Sequence, residues 1–388
     1  MNQHTPSIMP KGFLCASKNC GIKKDGKDLS LFYSEKLAGA AAVFTLNKFP
    51  GAPVIVGREV IKKGVLQAIV VNSKVSNVGT GEEGIDNAKK MAAAVSREFD
   101  IPQDTVIMSS TGVIAKPLPI ELIETGIKGM SKILTSSASV GAEGIMTTDT
   151  YPKALSVSVG NSTITIIGKG SGMIEPNMAT MLVYIFTDAE ISPKTLDSML
   201  REAVKDTFNM LSVDTDTSTS DTCVIMANGM AGKVDEQEFL KALKYCCREM
   251  TLLLARDGEG ATKLLITSVK GAKDEKEARY LAKLMVNSPL IKTMAYGADP
   301  NIGRILMAVG KGFECQVEQK KIEVFINNKL IYQNEARVDF NETEIRKILS
   351  GELVDIRVNL NIGPGEATAY GCDLTEGYIK ENAAYYSS

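Results

Sequence analysis

Histidine is almost missing from this chain. One imidazole, His4, serves all 388 residues, and it stands in an N-terminal segment expected to be poorly ordered. That scarcity excludes a Ser–His–Asp or Cys–His catalytic system and any zinc site that relies on imidazole. Acyl chemistry here must draw its base from a carboxylate, a lysine or an α-amino group. Paired cysteine is lacking too. Cys15, Cys20, Cys223, Cys246, Cys247, Cys315 and Cys372 are odd in number and form no CxxC units. Reduced, partly buried thiols are therefore expected rather than a disulfide scaffold or a metal site. No apolar run approaches the ~20 residues of a membrane helix, and MNQHTPSIMPKGF lacks the layout of a signal peptide. A net charge of −2 gives no electrostatic reason to expect nucleic acid or a membrane as partner. A cytoplasmic protein is the expectation.

What is present is ordinary for a soluble globular protein, 44% hydrophobic and 23% charged residues. The length allows one large layered domain or two of usual size. Patterning predicts strands at 40–46, 67–72 and 105–108, and helices at 84–99, 119–134, 235–256 and 275–286. Residues 155–167 read as a hairpin turning at Gly160-Asn161. Ser192-Pro193 is an N-cap followed by proline at the first helical position, opening a helix to about Leu211. After the helix at 275–286 strand-like segments dominate, including 321–332, with a short helix at 342–349 and closing strands over 354–369. Strands interleaved with a few long helices indicate an α+β fold. No βαβ repeat and no linker divides the chain.

The stretch Lys169–Thr187, KGSGMIEPNMATMLVYIFT, organises the functional reading. Its glycines permit close backbone approach, and Pro176 biases Glu175 toward an extended conformation. Six apolar residues from Met181 to Phe186 read as a strand covered on both faces. Thr180 sits at the junction, a hydroxyl at the first position of a buried strand.

Three motifs invite other readings. Gly79–Gly84 matches GxGxxG, but six residues separate it from the preceding strand and two glutamates face the helix start, so a turn is favoured over a dinucleotide site. Asp214-Thr215-Asp216-Thr217 matches DxDxT, yet it follows a helix and reads better as a hydrogen-bonded turn than as a Mg²⁺ site. Lys169 lacks the P-loop spacing and reads as a carboxylate binder or a solvated loop lysine.

GMIEPNMATML resembles the signature of the ornithine acetyltransferase, or bifunctional glutamate N-acetyltransferase, family, and further blocks agree from Lys11-Gly12-Phe13 to Ser387. The resemblance implies a layered αββα arrangement of α+β class. It also implies a precursor that cuts itself between Ala179 and Thr180 into chains of residues 1–179 and 180–388. SSTGVIAKPLP is similar to the block whose Thr and Gly form the oxyanion hole, here Thr111 and Gly112; from the residues alone an ordinary turn stays open. TTDT at 147–150 and RDGEGATK at 256–263 imply substrate contacts by Thr148 and Glu259, joined by Lys169, Asn382 and Ser387. The chain departs from the common family pattern at Ala115 and Thr215, where relatives carry Gly. Ser220 replaces Asn, Ile302 replaces Trp and Ser387 replaces Thr.

The function so implied is transfer of acetyl from N²-acetylornithine to glutamate through an acetyl-Thr180 ester. The α-amine of an N-terminal Thr titrates at about 7.7–8.0 and can serve as its base. No metal or cofactor is implied, acetyl-CoA entering only as a co-substrate. The expected assembly is a heterotetramer of the two cleavage products. An amidohydrolase or aminopeptidase with the same nucleophile, or a non-catalytic amino-acid-binding paralogue, are the alternatives.

Overall fold

The computed structural model describes residues 2–175 and 181–383. They gather into two compact units through which the chain weaves. One holds residues 2–170, 181–209 and 217–250, the other 171–175, 210–216 and 251–383.

Nine strands of the first unit make one sheet. In chain order they are β1 (Asn2–His4), β2 (Phe13–Lys18), β3 (Leu29–Phe44), β4 (Val65–Asn72), β5 (Val106–Ser110), β6 (Lys153–Val159), β7 (Ser162–Lys169), β8 (Leu182–Glu190) and β9 (Thr222–Lys233). Across the sheet they run β1-β6-β7-β8-β9-β3-β4-β5, with β2 also on β3. The 16 residues of β3 cross a register shift against β4 between Tyr33 and Ala38. Before the shift β3 pairs with β2; after it, with β9. A shift of this kind bends a strand, and the sheet folds over on itself. Phe13 of β2 and Phe32 of β3 meet Phe186 and Tyr184 of β8, with ring centroids between 5.2 and 5.4 Å apart. Ile69, Val71, Val224 and Met226 complete this core between the two layers of sheet.

Helices cover the outer faces. Ala88, Met91, Ala92 and Val95 of helix Gly81–Phe99, and Ile123 and Ile127 of helix Ile120–Ile127, pack on Leu29, Leu31, Ala68 and Val70. Elsewhere Gly168 of β7 makes room for Met250 of helix Glu236–Arg256, since a Cβ there would lie 2.7 Å from the Met250 sulfur. Helix on sheet, sheet on sheet, helix on sheet is the αββα arrangement expected.

The second unit carries a six-stranded sheet of β10 (Leu264–Ala272), β11 (Glu323–Ile326), β12 (Lys329–Gln333), β13 (Ala336–Arg337), β14 (Leu353–Asn359) and β15 (Gly365–Cys372). Their order is β13-β12-β11-β14-β10-β15. Among the described residues no helix is long and apolar enough to cross a membrane.

Several local expectations hold and several need correction. The hairpin turns at Gly160-Asn161 between β6 and β7, Ser192 caps its helix by accepting from Thr195 N, and β8 is buried along all but its last residue. The helix expected over 119–134 stops at Ile127, because Lys128 leaves the helical region and Gly129 is left-handed at φ 78°. The strand expected over 321–332 is two, turning at Asn327-Asn328 with φ of 43° and 68°. Residues 289–310 form two helices rather than strands, the first capped by Ser288 ahead of Pro289. Two βαβ crossovers exist after all: β4 and β5 are parallel around helix Gly81–Phe99, and β8 and β9 around helix Pro193–Lys205. His4 is not loose; β1 pairs with β6, and His4 Nε2 shares a hydrogen bond with Ser158 Oγ at 2.7 Å.

Candidate active site

Thr180, Ala179 and Ser387 lie outside the described residues. The other expected site residues fall on both units: Thr111, Gly112, Thr148 and Lys169 on the first, Glu259 and Asn382 on the second.

In the first unit, β4 and β5 end side by side at Asn72 and Ser110, and the chain beyond each continues the pairing. Thr111 N donates to Asn72 O at 3.0 Å, Val113 N to Lys74 O at 3.0 Å and Ser76 N to Val113 O at 3.1 Å. Asn72 braces the turn, its amide donating to Val75 O at 2.8 Å while its oxygen accepts from Ser110 Oγ at 2.6 Å. Because alternate peptides face the neighbour, the Gly112 N–H is turned out of this ladder. Among the described residues neither that N–H nor the Thr111 hydroxyl has a hydrogen-bond partner. Gly112 has φ 129°, and a Cβ would stand 2.2 Å from the Lys74 carbonyl carbon. Only glycine fits. Thr111 is 7% exposed. Two rigid donors left open at an otherwise buried strand end are what a developing oxyanion requires.

The Thr148 and Lys169 segments converge on a residue that the sequence reading passed over. Asp149 is completely buried at its side chain, as is Lys153, whose Nζ lies 2.7 Å from Asp149 Oδ1. The same carboxylate accepts from Gly170 N at 2.8 Å and Thr147 N at 2.9 Å, and Lys169 Nζ donates to Thr147 Oγ1 at 3.3 Å. Burial pushes the Asp149 carboxyl up, but Lys153 and then Lys169 outweigh it and hold it below the ordinary range. One carboxylate thus ties together the neighbours of both expected substrate contacts. Lys23 was missed as well. Burial lowers its ammonium, Asp28 and Asp149 pull the other way, and Lys169 and Lys74 lower it further. Lys23, Lys74 and Lys169 therefore share one neighbourhood, a cationic one. The i,i+4 spacing of Asp149 and Lys153 was a readable clue; nothing in the sequence tied Lys23 to them.

In the second unit the block after helix Glu236–Arg256 places Glu259 almost out of solvent. Asn382 Nδ2 donates to Glu259 Oε2 at 2.7 Å and to Tyr378 O at 3.0 Å. Gly260, at φ 66°, lets this loop approach the Gly377 backbone, where a Cβ would stand 2.3 Å from its carbonyl carbon. Asp214 accepts from Met173 N, Ile174 N and Asp216 N at 2.6, 2.8 and 3.3 Å. The DxDxT stretch is the hydrogen-bonded turn expected. Carboxylates are in excess here. Burial, then Asp214 and Glu175, raise Asp216, and burial, then Asp214 and Glu259, push the Tyr378 phenol up.

The ArgJ family model matches residues 14–387. The chain belongs to the ArgJ family. Among curated relatives it is 47% identical over 380 residues to the arginine biosynthesis bifunctional protein ArgJ 2 of Clostridium acetobutylicum, covering 97% of this chain and 98% of that one. It is 40% identical over 392 residues to the glutamate N-acetyltransferase Oat2 of Streptomyces clavuligerus, covering 99% and 100%. The crystal structure of the ArgJ protein from Bacillus halodurans superposes with a TM-score of 0.50 at 40% identity, over 52% of this chain and 98% of that one. The resemblance read from the signature blocks is borne out.

Four departures from the ArgJ pattern gain a physical description. Ala115 and Thr215, where glycine is common, have φ of 59° and 70°. Both carry the strain that a Cβ brings in the left-handed region. Ile302, in place of Trp, opens helix Ile302–Gly310 beside a cavity of about 440 Å³, room for a larger ring. Ser220, in place of Asn, buries a hydroxyl with no partner among the described residues. All seven thiols are held high, burial being the largest cause in each, with Cys15 at about 11 and Cys20 and Cys246 at about 12.

Proposed function

We propose that this ArgJ enzyme acts in arginine biosynthesis by moving acetyl from N²-acetylornithine to glutamate through an ester on Thr180. The observation that carries the reading is the pair of open donors, Thr111 Oγ1 and Gly112 N, on a braced strand end. The chain's only imidazole is engaged elsewhere, on an edge strand. In the first step the Thr180 hydroxyl oxygen bonds to the Ala179 carbonyl carbon and the Ala179–Thr180 C–N bond breaks. The hydroxyl proton passes to the departing nitrogen. Water then hydrolyses the ester, leaving an Ala179 carboxylate, the Thr180 hydroxyl and a free α-amine. That amine takes the hydroxyl proton when Thr180 attacks the acetyl group of N²-acetylornithine, and returns it to the leaving ornithine nitrogen. Glutamate's amine reverses the sequence on the acetyl ester. Thr111 and Gly112 stabilise each tetrahedral oxyanion.

The charge distribution supports an amino-acid substrate. The first unit's site residues lie in the field of Lys23, Lys74 and Lys169, suited to a carboxylate; Glu259 and the carboxylates around it suit an amine. We assign Thr148, Lys169, Glu259, Asn382 and Ser387 to the amino acid, in a cytoplasmic enzyme assembled as a heterotetramer of the cleaved chains. That the Bacillus halodurans chain is matched over 98% of its length by 52% of this one is what a two-chain enzyme predicts, since residues 180–388 make 209 of 388.

Mass spectrometry of purified protein tests the reading. Two chains split after Ala179 are expected, with one uncut chain from Thr180→Ala. Incubation with N²-acetylornithine or acetyl-CoA, each with and without glutamate, is expected to give N-acetylglutamate and an acetylated Thr180 peptide. A single uncut chain in a preparation that turns over defeats the mechanism. Amide hydrolysis that needs no acceptor points instead to an amidohydrolase.

A further inference from the structure

The five residues that lead toward the proposed scissile bond, 171–175, belong to the second unit, whereas residues 2–170 before them and 181–209 after them belong to the first. Every one of the five is held. Ser171 Oγ donates to Asp257 O at 2.6 Å, and Ser171 O accepts from Glu259 N at 3.0 Å. Gly172 lies so close to Glu259 that a Cβ would stand 2.2 Å from Oε2. Asp214 takes the next two N–H groups on its two oxygens, a grip that keeps Met173 at φ 54° against the steric preference of any residue with a Cβ. Ile174 O accepts from Val213 N at 2.7 Å and Glu175 N donates to Asp216 O at 3.0 Å. The Glu175 carboxylate then receives Asn287 Nδ2, 2.9 Å from each oxygen, and Lys283 Nζ at 3.3 Å. Lys283 is itself fastened to Leu211 O at 3.0 Å.

A glycine-rich lead of this composition has no intrinsic reason to be rigid. Intramolecular attack gains most when the reacting groups are confined, and each freely rotating residue upstream dilutes that gain. We propose that Asp214 and the Glu175–Asn287–Lys283 cluster are positioning residues for self-cleavage, anchoring the chain four residues before Ala179 while the Thr180 hydroxyl attacks. The proposal rests on Thr180 being the self-processing nucleophile. It assigns the anchor to the N-to-O acyl shift and not to the later hydrolysis of the ester.

The test follows newly synthesised full-length chain into its two fragments on denaturing gels after a cell-free translation pulse. Glu175→Ala is expected to slow cleavage roughly tenfold or more. Glu175→Gln keeps an acceptor for Asn287 and is expected to stay within about threefold of wild type. Melting of the uncleavable Thr180→Ala chain with and without Glu175→Ala separates an anchor from a merely structural role, the anchor predicting nearly equal transitions. Hydroxylamine, which cleaves an accumulated ester, is expected not to restore the rate, because the ester is not reached. Asn287→Ala carries the same expectation should Glu175→Ala fail to fold. Wild-type cleavage rates in both alanine variants, or full rescue by hydroxylamine, overturn the anchor while leaving the nucleophile in place. Wild-type chain that never splits overturns both.

Discussion

Two carboxylates, Asp149 in the nine-stranded unit and the half-buried Asp214 in the six-stranded one, show how differently the halves of this enzyme satisfy a carboxylate. Asp149 is matched by an ammonium, Lys153, with both side chains sealed from solvent, and two peptide N–H groups complete its shell. Asp214 has no ammonium among its hydrogen-bond partners in the described residues; it is satisfied by peptide N–H groups and reached by the Tyr378 hydroxyl at 3.4 Å. In the first unit Lys23, Lys74 and Lys169 add positive charge around that pair, with Asp28 acting on Lys23 from the other side. In the second, burial and then the neighbouring Asp214 and Glu175 carboxylates raise Asp216.

The comparison breaks most visibly at Asp149. Asp149→Ala strands a buried ammonium, and chemical denaturation is expected to show a loss of about 3–5 kcal/mol. Thr111→Ala touches the same unit without touching its ion pair, so stability should hold while kcat falls about 10²–10³-fold. In the second unit Asn382→Ala removes a neutral partner of a carboxylate. Steady-state kinetics should show KM for the amino acid rising by about 10-fold or more, from the ~1.5–3 kcal/mol of a hydrogen bond to a charged group, with kcat changed less. Ala115→Gly and Thr215→Gly, one on each unit, should each add about 1 kcal/mol by relieving a positive φ.

A pH series sharpens the contrast with the smallest effects. The folded state holds Asp149 below its unfolded value, so its contribution is present at neutral pH and lost as pH falls through that lowered value. Asp216 is raised, so its ionised form opposes folding at neutral pH and that penalty fades as pH falls through the raised value. The stability gap between wild type and Asp149→Asn should therefore shrink on acidification. Asp216→Asn should exceed wild type at neutral pH and lose its advantage in acid. On acidification the wild-type-minus-variant stability should fall for Asp149→Asn and rise for Asp216→Asn; a change of the same sign in both would refute the assigned shifts.

Local chemistry was readable where it is self-contained. Ser192-Pro193 opened a helix, Gly160-Asn161 closed a hairpin, and six apolar residues made a buried strand. The same Ser-Pro logic applied at Ser288-Pro289, yet the strand-like residues around it obscured two helices. Asn327-Asn328 is a turn because both residues tolerate left-handed backbone, though neither interrupts the apolar pattern. The βαβ crossovers escaped notice because strand direction is a property of pairing, not of composition.

The sequence by itself determined that no Ser–His–Asp or Cys–His system could serve, that a long apolar run makes a buried strand, and which family's blocks the chain carries. These are matters of inventory and near-neighbour spacing. Only the tertiary structure decided which donors stay open and how charge sorts between the halves. Gly112 N–H is left over because Asn72 and Lys74, about forty residues earlier, take the peptides beside it. Asp149 matters because Gly170 comes back to it from 21 residues away. Partners brought together across such distances leave no periodic trace in the chain.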